Sequence, residues 1–288
     1  MESDAMKEQC NVSIINKPKK YRTYSQTLEY IICRVGLLTG TALILSANSV
    51  LAQWKWNLGF APEYYYWQEN ANGVKLLDES GLRYGLDLSG KQIQTESWLW
   101  AAELKIYYGR VDYNGQTMGG TPVKSTTDYL GGFGEMRFGY RWSLAKHQRV
   151  ELMGGFGLED WERSLNGSGG YDENWLPIYF KAGLELTPDP KGLIGTLGFK
   201  LPVYTDQTAD LSRQGGPTFN LYPGIMPSLY AELGYQFSKH LSVEAFFDSY
   251  WFAQSPTRYI NLGGGYEAGF YQPESKTYRV GVKVGWTF

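Results

Sequence analysis

From Arg279 to Phe288 the chain alternates without a break: Val280, Val282, Val284, Trp286 and Phe288 are apolar, and the positions between them are small, polar or charged. A period of two sustained over a whole segment describes a strand with one apolar and one polar face. The same alternation recurs upstream, over 54–68, 79–90, 96–112, 126–142, 148–164, 173–187, 192–204, 225–238 and 241–254. With the C-terminal segment this predicts ten strands, eight or twelve being the neighbouring even counts. The apolar sets are long and often end in aromatics, as in Trp54, Trp56, Leu58, Phe60, Tyr64 and Tyr66 of the first strand or Trp98, Trp100, Ala102, Leu104, Ile106 and Tyr108 of the third. Their opposite faces carry charge.

The connections alternate in length. Short links follow the even strands, at 89–95, 143–148, 187–191 and 238–240. Longer polar, glycine-rich links follow the odd ones, at 70–78, 114–125, 166–172, 205–222 and 255–273. Short turns at one end, long loops at the other and aromatics at the edges of an apolar face are the signature of a transmembrane antiparallel up-and-down β-barrel. A soluble sandwich or lipocalin-like barrel also alternates, but does not combine these features with the leader described next.

Lys17, Lys19, Lys20, Arg22 and Arg34 form a basic region, Val35–Leu45 an apolar core, and Ser49-Val50-Leu51-Ala52 a peptidase-type site. Residues 1–52 therefore read as a secretory signal peptide cleaved after Ala52, with an uncleaved anchor helix as the alternative, and residues 53–288 as the barrel. Both cysteines, Cys10 and Cys33, fall in the leader, so the mature chain has neither disulfide nor thiolate metal site. No later segment approaches the roughly 18 apolar residues of a spanning helix. The mean hydropathy of −0.37 is compatible with a membrane location, because a barrel strand shows lipid only every second residue. With 27 Lys and Arg against 29 Asp and Glu, the balance argues against a nucleic-acid partner.

The inward positions include Glu63, Asp87, Glu103, Glu135, Glu151, Glu159, Glu185, Glu232, Glu244 and Asp248 among the acids. The bases are Lys55, Arg83, Lys105, Arg137, Arg141, Lys181, Lys200, Arg279 and Lys283. Signs that nearly balance inside a small barrel predict a salt-bridged, largely closed lumen, with Glu103, Glu135 and Glu151 as partners for Arg137. A narrow water-filled channel lined by the same charges is the alternative, and a buried catalytic cluster a third. Gly131-Gly132-Phe133-Gly134 and Gly154-Gly155-Phe156-Gly157 lie inside strands, so they serve close packing around bulky side chains and not phosphate binding. Asp206, Asp210 and Glu267 are solvated loop charges. No catalytic residue, cofactor or metal site is expected.

The closing segment, with Trp286 and the terminal Phe288, resembles the last strand of bacterial outer-membrane β-barrels, whose final aromatic is part of the assembly signal. That resemblance implies a bacterial outer-membrane location. Its partners would be outer-membrane lipid and lipopolysaccharide, the barrel-assembly machinery and periplasmic chaperones. The strand count resembles the size class of the omptin proteases and of ten-stranded surface adhesins. Omptin chemistry needs acidic pairs and a histidine at the outer rim, whereas His147 and His240 both fall in short turns at the opposite end. Ser238-Lys239-His240 likewise reads as a capped turn, not a hydrolase site. The expected function is structural or surface binding and adhesion. A candidate binding loop at 255–273 carries Tyr259, Tyr266, Phe270 and Tyr271 among glycines. A small-solute channel, or a lipid- or peptide-modifying enzyme, is the alternative.

Overall fold

The computed structural model describes residues 54–288 apart from 94–96, 117–119, 168 and 262–266. The leader, its cleavage site and Tyr266 lie outside the described residues.

The strands in chain order are β1 (Trp54–Ala71), β2 (Val74–Ile93), β3 (Trp98–Gln116), β4 (Pro122–Ala145), β5 (Gln148–Leu165), β6 (Asp172–Pro188) and β7 (Gly192–Asp210). They continue with β8 (Thr218–Leu221), β9 (Gly224–Ile225), β10 (Ser228–Gln236), β11 (Leu241–Ala253), β12 (Arg258–Asn261), β13 (Glu267–Phe270) and β14 (Glu274–Thr287). Neighbours pair antiparallel from β1 through β7. β7 then pairs with β10, β10 with β11, β11 with β14, and β14 with β1. The result is a closed barrel of ten strands with no free edge. The four short strands decorate one end. β8 extends β7, β9 pairs with β11, and β12 with β13 form a separate ribbon.

Every predicted strand is present. The largest differences lie at the loop end, where the walls run further than expected. The link anticipated at 70–78 is a two-residue turn, Asn72 and Gly73, both at positive φ (51° and 78°). That turn matches the twist of the flanking strands and lets them pair to their tips. Much of the stretch 205–222 is likewise strand, β7 continuing to Asp210 and β8 folding back on it.

The outer wall explains the extension. Its side chains form an apolar band in which Phe156, Leu197 and Leu233 are 63, 67 and 68% exposed. At the loop end the same outward positions turn polar in strand after strand: Gln68 and Asn70, Arg110 and Asp112, Asp160 and Glu162, Asp172 and Asn174, Asp206 and Thr208. An outward face of this kind carries loop-like composition while its inward face remains a barrel wall. β7 crosses this level with a bulge opposite Ile178 and Tyr179, where Val203 and Tyr204 both face outward. The extra residue resets the alternation and turns Thr205 and Gln207 inward.

Leu184 pairs between Leu152 and Leu197 in the middle of the band. Leu184→Arg should cost about 2–4 kcal/mol, whereas Ser212→Arg, in the exposed turn beyond β7, should be neutral. Equal heat-shift temperatures for the two variants on cold gels would remove the outward assignment.

Candidate functional site

The lumen is filled in three layers. At the loop end, inward aromatics from six strands meet on the axis: Tyr65, Trp67, Tyr107, Tyr113, Tyr129, Trp161, Trp175, Tyr179, Tyr250 and Phe252. Trp175 is fully buried, with ring centroids 5.0 Å from Trp67, 5.6 Å from Trp161 and 5.3 Å from Phe252. Glycines make the space. A Cβ at Gly131 would stand 2.6 Å from the Trp161 Cβ and the Tyr107 hydroxyl, and one at Gly157 2.6 Å from the Tyr179 ring. The bulky groups come from adjacent strands, not from across the lumen.

An ion cluster is buried within this plug. Arg163 reaches Glu79 at 2.6 Å and Glu173 at 3.1 Å. Thr127 and Tyr129 donate their hydroxyls to Glu79. Trp67 Nε1 and Gln272 Nε2 donate to Glu69 at 3.1 and 3.0 Å, and Trp175 Nε1 donates to Glu173 at 2.9 Å. Three carboxylates thus gather around one guanidinium, beyond the last lipid-facing residues of their strands. Burial raises the Glu69 carboxyl most strongly, Arg163 opposes it, and Glu173 adds to it, leaving its pKa at about 7. Because that value lies above the ordinary 4.5, the folded barrel keeps a proton that the unfolded chain has lost. Stability should therefore fall as pH rises from about 4.5 to about 7 and level off above. Glu69→Gln, which keeps an acceptor for Trp67, should flatten that slope. An unchanged pH profile of the heat-shift temperature in the variant would refute the assignment.

The middle layer is a charge lattice. Arg83 and Lys105 converge on Glu63 at 2.9 and 2.8 Å, with the Arg83 guanidinium 3.8 Å over the Tyr65 ring. Arg279 bridges Glu159 at 2.7 Å and Asp248, and Lys200 also pairs with Asp248. Lys181 holds Glu135 at 2.8 Å, and Tyr179 donates to the same carboxylate at 2.7 Å.

Towards the turn end the filling loosens. Arg137 pairs with Glu185, with Glu103 at 3.5 Å and with Glu135 at 3.8 Å. Glu151 belongs instead to Arg141, at 2.7 Å from Nε, and to Lys91, at 2.6 Å. Lys91 joins Glu151 to Glu185 but was missed in the sequence, because its segment reads as a turn. Lys283 makes only long approaches, 3.6 Å to Glu244 and 4.0 Å to Glu232. Asp87 has no hydrogen-bond partner among the described residues. A vestibule of about 510 Å³ opens here, lined by Lys55, Lys91, Arg137, Glu185, Glu232 and Lys283 among others.

Both histidines sit at this end. His147 Nδ1 meets the Asp189 carbonyl at 3.2 Å, while His240 stacks on Trp286 at 5.4 Å with Nδ1 at 2.8 Å from the Thr287 carbonyl. Ser238 Oγ accepts from the backbone N–H groups of His240 and Leu241, a cap. Phe288 is 67% exposed, its N–H bonded to the Trp56 carbonyl. At the loop end, Tyr259 and Tyr271 are exposed, whereas Phe270 packs on Phe219 at 4.6 Å in a small external core with Ile260 and Leu211. Asp206 and Asp210 accept hydrogen bonds from Asn220, Ser212 and Thr218 that shape the β7–β8 turn.

No protein-family model and no curated protein sequence matches the chain. Among solved structures, the outer membrane protease OmpT from Escherichia coli superposes with a TM-score of 0.54 at 11% identity, over 84% of this chain and 98% of that one. The translocator domain of the autotransporter NalP from Neisseria meningitidis gives 0.38 at 11% identity, over 92 and 98%. Ail, the attachment invasion locus protein of Yersinia pestis, gives 0.29 at 9% identity, over 81 and 98%. At these identities the likeness is one of architecture: the chain has the fold of an outer-membrane β-barrel.

Proposed function

We propose that this protein is an integral outer-membrane barrel in which the filled lumen is structural and the work, surface binding, is done by the end that carries the long loops. The observation that supports this most is the aromatic plug: fully buried Trp67 and Trp175 and the cluster around them stop the lumen at the loop end. Exposed Tyr259 and Tyr271 then stand on and beside a short ribbon that packs Ile260 and Phe270 into a small core of its own. Lipid and lipopolysaccharide would contact the apolar band and the polar collar above it. Assembly machinery and periplasmic chaperones would meet the chain through its terminal aromatics, Trp286 and Phe288.

The channel reading rests on the vestibule, which is wide only at the turn end. An enzymatic reading has less support, since both histidines lie in turns remote from the loop-end acids.

Orientation is the part most open to test. Cysteine at Ser212 should react with a membrane-impermeant maleimide on intact cells, and cysteine at Lys239 should react only after permeabilisation. Labelling of the Lys239 position on intact cells, with Ser212 silent, would invert the topology and with it the proposal.

A further inference from the structure

The turns that join β4 to β5 and β6 to β7 are fastened to each other. The Asp189 N–H donates to the His147 carbonyl at 3.1 Å, and His147 Nδ1 meets the Asp189 carbonyl at 3.2 Å. Arg149 takes the Asp189 carboxylate at 2.6 Å. That carboxylate is the only acid in the two turns, so its pairing leaves their remaining charge uncompensated. Lys146 stands beside His147, and Lys191 two residues beyond Asp189. Both are exposed, and neither has an ion pair or side-chain hydrogen bond among the described residues. Nor does either line the vestibule. Two free ammonium groups are thus held on one locked piece of backbone at the outer rim of the turn end.

The apolar wall begins right beside them. Leu144 and Leu193 are 64 and 54% exposed, and Trp142 is exposed with them. Leu144 and Trp142 continue the outward parity of β4, and Leu193 that of Leu197 on β7, so these side chains are the last of the lipid-facing band. A lysine just past such a band lies at headgroup depth. Its stem runs along hydrocarbon while the ammonium reaches the phosphates. The loop end is built differently. Lys75, Arg110, Arg213 and Lys276 are each paired with a carboxylate, at 2.7, 2.6, 2.8 and 2.9 Å. The outward Asp112, Glu162 and Asp206 stand among them. Free positive charge beside an apolar wall is therefore a feature of the turn end.

We propose that the two joined turns form a headgroup site for an anionic glycerophospholipid of the phosphatidylglycerol class. Its phosphate would sit between Lys146 and Lys191, with its acyl chains along Leu144, Leu193 and Trp142. A net negative headgroup gains from both ammonium groups, whereas a zwitterionic one brings its own cation against them. The His147–Asp189 bonds fix the spacing of the two lysines before a lipid arrives. The inference rests on the bilayer-spanning reading and is independent of the surface-binding role.

Native mass spectrometry of the folded full-length barrel, released from micelles doped with equal amounts of phosphatidylglycerol and phosphatidylcholine, tests this. One retained phosphatidylglycerol is expected, favoured over phosphatidylcholine by about fivefold or more. Lys146→Gln combined with Lys191→Gln should remove the preference. Lys75→Gln combined with Lys276→Gln at the loop end should leave it as it is. Equal retention of the two lipids by the wild type overturns the proposal, as does an undiminished preference in the folded Lys146→Gln, Lys191→Gln barrel. If that double variant fails to fold, a wild-type preference that persists in about 1 M ammonium acetate, where exposed charges are screened, overturns it on its own. A barrel that inserts into vesicles of neither lipid is a different failure: it removes the bilayer-spanning reading, and this site with it.

Discussion

Arg163→Ala is expected to destabilise the barrel by about 3–5 kcal/mol, the usual loss when one member of a buried ion cluster is removed. Arg163 is fully buried and bridges Glu79 and Glu173, with Glu69 close enough to feel its charge. Without it three carboxylates share a water-poor plug with no counter-charge. The heat-shift temperature should drop sharply at neutral pH and recover in part on acidification, because protonated carboxyls no longer need the guanidinium. Arg163→Lys should fall between, since one ammonium cannot serve two carboxylates with a fixed fork. Arg110 supplies the comparison: it pairs with Asp128 on the outer wall with its side chain 60% exposed, so Arg110→Ala should cost no more than about 1 kcal/mol. Equal temperatures for the two alanine variants would mean that the plug is not held by its ions.

Trp175→Ala should produce a loss of similar size, about 3–5 kcal/mol, by emptying the centre of the aromatic layer. Its ring contacts Trp161, Trp67 and Phe252, three neighbours on three strands, so no single side-chain rotation can refill the space. Trp175→Phe, which keeps a ring but drops the 2.9 Å bond to Glu173, should lose less. A Trp175→Ala barrel as heat-stable as wild type would place the stability elsewhere, in the mid-lumen lattice.

The strands were legible in the sequence because a wall with one apolar and one polar face imposes a strict period of two, as at Val280–Trp286 and Trp98–Tyr108. The identity of inward charges followed from parity. Which charge meets which did not. Glu151 lies nearer to Arg137 in sequence than Glu103 does, yet register gives it to Arg141 and Lys91. The plug was illegible for a different reason. Past Tyr66 and Tyr108 the outward positions turn polar, so Trp67, Glu79 and Glu173 stand at the very margins of the predicted strands and Glu69 just beyond one. Extending the parity of Glu151 and Glu159 by two and four residues would have placed Trp161 and Arg163 inside, and that of Lys181 backwards would have placed Trp175. The bulge that brings Gln207 inward leaves no mark in the alternation at all.

The central claim, a lumen closed at the loop end by its aromatic layer, is tested most directly by single-channel recording of the purified barrel in a planar bilayer. Wild-type protein should give a flat baseline, and Trp161→Ala combined with Trp175→Ala should give discrete conductance steps. Regular steps from the wild type, unchanged by those two substitutions, would contradict the closed lumen and put a water-filled pore in its place.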